Sequence, residues 1–246
     1  MKTRLKTGWQ DTRLLLRSIP STVTALFTIS VIMMNILANK TIYQSELLAL
    51  DGGILISWLS FLCMDIVTKA FGPKAATKLS VFAIGTNLLA CLIFYIVSII
   101  PSDADDYTAF NTIIGGTWFI LLSSTVAFLS SAVVNNFLNY GIGRLFRKNP
   151  DGKLAFVTRS YISTFIGQFF DNFVFALLTF TVFAPIFWDG FHWTLIQCVT
   201  CSLLGAGAEL LMEVVFSPIG YSVLKQWKKD GVGEAYLKQH EGGEAP

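Results

Sequence analysis

The chain has 246 residues, of which 53% are hydrophobic and only 14% charged, with 21 phenylalanines and a mean hydropathy of +0.59. A soluble domain carries roughly 25% charged residues, so this composition excludes an ordinary water-soluble enzyme or nucleic-acid-binding module and points to an integral membrane protein. The net charge of +2 says little by itself; where the charges fall says more.

Residues 1–20 place Lys2, Arg4, Lys6, Arg13 and Arg17 around Trp9 and the Leu14, Leu15, Leu16 run, which predicts a basic leader lying at the inner headgroups. No small-residue cleavage site follows it, and the next apolar run leads directly into Asn35, Asn39 and Lys40, so the first helix reads as retained rather than as a signal peptide. Runs long and apolar enough to cross a bilayer are found at 21–38, 52–68, 77–100, 115–138, 160–184 and 192–216. Strand-like alternation is absent. The expected fold is therefore a single all-α, six-transmembrane-helix bundle over residues 21–217, followed by a cytoplasmic C-terminal tail over 218–246.

Basic residues gather before the first span, between the second and third (Lys69, Lys74, Lys78), between the fourth and fifth (Arg144, Arg147, Lys148, Lys153, Arg159) and after the sixth (Lys225, Lys228, Lys229). Lys40, Glu46, Asp51, Asp103, Asp105, Asp106, Asp189 and His192 fall on the other side, so nearly every basic residue lies on one side. With an even number of spans this bias puts both termini in the cytoplasm. Three helices on either side of the turn at Asn149, Pro150, Asp151 and Gly152 are compatible with a 3+3 inverted repeat. The serine and glycine faces are compatible with a homodimer.

The polar residues inside the spans are the informative ones. Asn35 and Asn39 share a face late in the first helix, as interhelical hydrogen-bonding groups or as ligand contacts. In the second helix Phe61 and Asp65 stack one turn apart, and Asp65 either pairs with Lys69, one turn later, or belongs to a site. Ser124, Ser131, Asn135 and Asn139 line the fourth helix; the serines read as close-packing positions, and Asn135 and Asn136 as better site candidates. Cys201, Gly205, Glu209 and Glu213 recur at every fourth residue of the sixth, where Gly205 and Gly207 let another backbone approach. Glu209 lies deep enough that it must face a cavity or pair with a base such as Arg159 or Lys69. Cys63, Cys91, Cys198 and Cys201 all lie within spans and read as packing residues, with no metal site and no cofactor implied.

Asp171 is the most costly of these groups, a carboxylate near the middle of an apolar run. At 100° per residue Ser160, Thr164, Gln168, Asp171 and Phe175 fall on one face, opposite Ile162, Ile166, Phe169, Phe173 and Leu177. A carboxylate beside a carboxamide can accept two N–H bonds while the amide meets a carbonyl, which suits the N1–H, exocyclic amine and O6 edge of a guanine-like base. Phe61, Phe175 or Trp58 could stack on its ring. Amino acids or vitamins could use the same groups.

The steps Asp51-Gly52-Gly53-Ile54, Asp65-Ile66-Val67-Thr68 and Phe71-Gly72, followed by Arg159, Ser163-Thr164, Gly167-Gln168, Asp171 and Phe175, resemble the queuosine precursor transporter family, also called the vitamin uptake transporter family. The resemblance runs from about Asn35 to Glu213. It implies a six-helix bacterial inner-membrane protein that takes up 7-deazaguanines (the nitrile- or aminomethyl-bearing precursors, or queuine) for salvage into tRNA, with Asp171, Gln168, Thr164, Asp65, Asn35, Glu209, Phe61 and Phe175 as the expected substrate-binding residues. Lys69 stands where the family pattern often has an acidic residue, which disfavours a cationic aminomethyl substrate. A substrate-binding membrane subunit of an energy-coupling uptake system is the alternative expectation. An intramembrane enzyme is disfavoured, since His192 and His240, the two histidines, lie outside the deep membrane.

Overall fold

The computed structural model describes residues 2–102, 107–145 and 162–240. In chain order these form α1 (Lys2–Ser18), α2 (Ser21–Leu37), the strands β1 (Thr41–Gln44) and β2 (Ala49–Asp51), α3 (Ile54–Phe71), α4 (Pro73–Ile99), α5 (Thr108–Leu145) and α6 (Ser163–Ala176). A π-helical stretch, Leu177–Phe183, continues α6 into α7 (Ala184–Phe187), and α8 (Leu195–Lys229) and α9 (Glu234–His240) complete the chain. This is an all-α membrane protein with one short β-ribbon. Ile54–Phe71, Pro73–Ile99, Thr108–Ser131, Phe165–Phe187 and Leu195–Phe216 are each long and apolar enough to cross a bilayer. The 17-residue α2 meets that criterion only together with α1, from which it is bent by 105°.

Contacts divide the chain into two compact units, Met1–Ile32 with Ile56–Asn87 and Glu213–Pro246, and Met33–Leu55 with Leu88–Met212. In the first unit the break between α1 and α2 is set by Pro20, which has no N–H and pushes Ile19 out of helical geometry. The apolar face of the leader is a core element rather than a simple headgroup anchor: Leu15 and Ile19 are buried with Val67, Ala75, Ala76 and Leu79. Gly72, at φ +86°, ends α3 in the left-handed conformation and Pro73 begins α4, so a tight helical hairpin follows from two adjacent residues.

The C-terminal segment belongs to the same core. Pro218 sits inside α8 without ending it. The cost of an interior proline, about 3 kcal/mol, is offset where the helix beyond it packs: Trp227 lies 6.0 Å from Phe71, and Tyr236 of α9 meets the same ring edge-on at 6.1 Å. Asp11 of α1 forms an ion pair with Lys78 of α4 and faces His240 Nε2 at 3.1 Å, tying both ends of the chain to one helical hairpin.

The second unit holds the ribbon, α5, α6 and an aromatic core. β1 and β2 pair antiparallel with a bulge between Thr41 and Tyr43. The ribbon is fixed from several directions: Gly52 N donates to Lys40 O, Gln197 Nε2 to Ser45 O at 2.5 Å and Thr200 Oγ1 to Leu47 O at 2.5 Å. Gly52 is required here because a Cβ would lie 2.7 Å from Leu37 O. Phe119, Phe180 and Trp193 are fully buried, with Phe180 stacked on Trp193 at 3.8 Å.

The π-helical stretch has a readable cause. Its wide turns bond each N–H to the carbonyl five residues back, as Ala184 N does to Thr179 O. Pro185 cannot donate to Phe180 O, so that carbonyl accepts from Trp193 N at 3.1 Å instead. Thr181 Oγ1 meanwhile donates to Trp193 O at 3.0 Å, and the returning chain is clamped by both backbone groups of one buried tryptophan.

Asp51, between the spans, caps this turn by accepting from Gly53 N at 2.7 Å. Burial pushes its carboxyl from 3.8 up to about 6, against the backbone N–H groups of Gly53 and Ile54 that favour the charged form. A raised folded-state value means the folded protein holds the proton more tightly, so Asp51 contributes stability that is complete below about pH 4 and lost as pH rises through about 6, on the order of 3 kcal/mol. The melting temperature of the detergent-solubilised protein, measured against Asp51→Asn, is expected to fall across that window and level off above it; a constant difference would refute the assignment.

Candidate functional site

The most polar interior of the second unit is organised by α6. Its sequence alternates Phe169, Phe170 and Phe173 with Gln168, Asp171 and Asn172, so one helix carries an aromatic face and an amide-carboxylate face. Phe169 and Phe173 stack at 5.9 Å along the first, and Phe170 is exposed. The second faces α5 and α8.

Asp171 is half-buried, and its Oδ1 accepts from Ser131 Oγ of α5 at 3.1 Å. Ser131 also donates toward Phe128 O at 3.0 Å, so its single proton is shared between a helix carbonyl and the carboxylate. One residue on, Asn172 Nδ2 reaches Glu209 Oε2 of α8 at 3.5 Å, the outer limit of a hydrogen bond. Gly205, one turn before Glu209, makes room for that amide: a Cβ there would stand 2.7 Å from Asn172 Nδ2. Adjacent residues of α6 thus engage different neighbours, Asp171 with α5 and Asn172 with α8.

Gln168, one turn earlier, is buried at 8% exposure, and its Oε1 has no hydrogen-bond partner among the described residues. A buried, unanswered amide costs roughly 1–3 kcal/mol, so such a group in a native chain calls for a ligand, a water or an ion. Asn35, in the same unit, is 1% exposed with both amide atoms similarly unpartnered. Glu209 is buried at 4% exposure.

The other expected residues are placed differently. Phe175 is a member of the aromatic core, edge-on to Phe180 at 6.2 Å. Phe61 and Asp65 belong to the first unit, where Asp65 pairs with Lys69 at 2.6 Å on successive turns of α3, and Trp58 stacks on Phe216 at 4.6 Å. The side chains of Thr164, Asn135 and Asn136, and the whole of Arg159, lie outside the described residues. Ser131 and Asn172 were the residues that spacing undervalued. Ser131 looks like any small helix-packing residue until the facing carboxylate is known, whereas Asn172, next to Asp171, carried a signal in its own type.

Among the described residues no cluster of three or more His, Cys, Asp or Glu could hold a metal ion. Cys198 and Cys201 are free and buried in the aromatic core. What this face offers is hydrogen bonding: one carboxylate acceptor, one unanswered carboxamide and a second carboxylate behind an amide, in a low-dielectric interior where each bond counts for more than in water.

Residues 51–223 match the family model described as "Putative vitamin uptake transporter". The chain belongs to this family. The vitamin uptake transporter match contains α6, its partners on α5 and α8, and Asp51. The chain is also similar to the "Probable queuosine precursor transporter" of Bacillus subtilis (strain 168), at 28% identity over 155 residues, or 61% of this chain, and it spans 65% of the length of that curated relative. No solved structure matches it.

The two glycines near Glu209 separate packing from propensity. Gly205→Ala drives a methyl into the Asn172 amide and is expected to destabilise by about 1–3 kcal/mol. Gly207→Ala meets nothing within 4 Å and should instead stabilise by about 0.5–1 kcal/mol through helix propensity. Thermal unfolding in one detergent compares them directly; equal effects would mean that Asn172 does not press on α8 as described.

Proposed function

We propose that this chain is a bacterial inner-membrane importer of a queuosine precursor, a 7-deazaguanine, and that the amide-carboxylate face of α6 reads the base. Family membership supports a transporter of a vitamin-like or queuosine-precursor substrate, and the name of the Bacillus subtilis relative supports the narrower substrate. The observation that carries the site is the pairing of Asp171 with Gln168, one helical turn apart, within the apolar segment Phe165–Phe187. In this reading Asp171 keeps one bond to Ser131 and spends its remaining acceptor capacity on the N1–H and exocyclic amine of the base. Gln168 answers the lactam edge or a ring N–H according to which way its amide is turned. Asn35 and Glu209, in the same unit, complete the polar lining.

The proposed topology counts α2 as a first span, giving six, with both termini in the cytoplasm by the distribution of lysine and arginine. A 3+3 inverted repeat would then place α3 and α6 in corresponding positions, each carrying an aspartate in its interior. Asp65 is paired with Lys69 in the first unit, so the reading rests on Asp171 and Gln168 rather than on Asp65 or Phe61.

Uptake of labelled 7-cyano-7-deazaguanine, guanine and riboflavin into vesicles holding only the purified protein tests this. Wild type should accumulate the deazaguanine. Asp171→Asn should weaken transport by about ten- to a hundredfold, the cost of a lost hydrogen bond to a charged group, and Gln168→Ala by about fivefold. Absence of deazaguanine uptake, or equal uptake by all three proteins, would exclude the reading. Uptake appearing only when ATPases are supplied would favour the energy-coupled subunit instead.

A further inference from the structure

A cavity of about 410 Å³ lies in the second unit and is lined by none of the groups assigned above to base recognition. Asn39, Lys40, Thr41 and Gln44 form its polar side and Trp188 with Phe191 its aromatic wall. Both sides are held firmly. The polar side is the anchored first strand of the ribbon. The aromatic wall is a turn in which Asp189 and Gly190 adopt φ of +47° and +81°, and Phe191 N donates to Trp188 O at 2.8 Å. Trp188 is braced from behind by Phe119, ring to ring at 5.2 Å, and stands 6.1 Å from Phe191.

The functional groups are unusually open for such a fixed wall. Asn39 directs its amide nitrogen to Ile36 O at 3.0 Å, which leaves Oδ1 buried and without a partner among the described residues. Lys40, its neighbour, is exposed and has no acidic partner among the described residues. No carboxylate lines the cavity. One unanswered acceptor beside one unanswered cationic donor complements an adjacent N–H and C=O, the lactam edge of a heterocycle, while the rings supply a stacking surface. Lys40 disfavours a cationic ligand, since no carboxylate is among the lining residues, although Asp189 lies in the turn between Trp188 and Phe191. The volume lies within the usual range for small-molecule sites.

We propose that this cavity is an entry site that binds a neutral heteroaromatic lactam before it reaches the α6 face. The identity of that lactam as a 7-deazaguanine, and the placing of the ribbon outside the membrane, rest on the proposed function. The cavity is continuous in chemistry with the interior: Asn35, one turn deeper on α2, repeats the unanswered amide of Asn39. The two sites divide the task by charge. Lys40 admits neutral rings and turns away cations, and Asp171 then favours ligands rich in N–H donors.

Equilibrium binding of tritiated 7-cyano-7-deazaguanine to protein in lipid nanodiscs tests this in the Asp171→Asn background, where the deeper site is weakened. Weak saturable binding should remain, and adding Asn39→Ala or Trp188→Leu should weaken it about tenfold. In chains that keep Asp171, Trp188→Leu or Lys40→Gln should raise the half-saturating concentration for uptake about five- to tenfold with the maximal rate retained; Lys40 is exposed, so its replacement leaves the fold intact. No uptake by wild type would overturn the transport reading. With uptake intact, the entry site is overturned if Asp171→Asn abolishes all binding, or if the remaining binding ignores Asn39→Ala and Trp188→Leu.

Discussion

Inside a bilayer a polar group has no water to fall back on, so each one must be answered by its own chain or by what the chain carries. That constraint organises the second unit. Asp171 is answered by Ser131, Asn172 by Glu209, and the carbonyl that Pro185 leaves free by the N–H of Trp193. Each answer comes from a different element, so satisfying α6 and its π-helical extension fixes α5, α8 and the turn before α8 at once. Among the described residues of this unit Gln168 Oε1, both Asn35 amide atoms, Asn39 Oδ1, Thr179 Oγ1 and Trp193 Nε1 are buried without a partner, and of these Gln168 lies one turn from Asp171 on α6.

The first unit is tied together by charges instead of amides. Asp11 is held between Lys78 and His240, and Tyr236 stacks on His240 at 4.2 Å while Lys78 lies 5.7 Å above its ring. A carboxylate shared by a lysine and a histidine is more than a surface ion pair, because Asp11 is only 17% exposed and its partners come from opposite ends of the sequence. The apolar surface that remains, including Val81, Leu88, Leu92 and Ile93 of α4, is what a lipid-facing helix should show; in water it would be an aggregation hazard.

Much of this was legible in sequence wherever a single local rule decides. Length and hydropathy placed helix in the apolar runs, and i, i+4 spacing offered the Asp65 to Lys69 pair as one of two readings, the one the structure shows. Tertiary partners were not legible. Ser131 resembles a packing serine because its role is set by a carboxylate forty residues away, and Gly205 marks close approach without naming Asn172 as what approaches. The ribbon escaped because its strands, Thr41–Gln44 and Ala49–Asp51, are too short to show alternation and are held by Gln197 and Thr200 from far along the chain. The helix continues past Pro218 into the stretch expected as a tail, because the packing of Trp227 and Tyr236 overrides a local breaker.

The charges of the proposed entry cavity and of the α6 face can be ordered by the same reasoning. Lys40 can remain unpaired because it is exposed, and its field is screened within about 8 Å at physiological ionic strength. Asp171 is half-buried and held by Ser131, so in the proposed site a ligand N–H would meet a carboxylate that is less screened than Lys40 and fixed in position. A weak, screened cation at an open aromatic wall suits rapid capture and release, whereas a half-buried carboxylate held by a neighbouring hydroxyl suits discrimination. Placing the stronger group at the wetter position would reverse both properties: Asp171 in water would bind little, and Lys40 in the apolar interior would be costly without a partner.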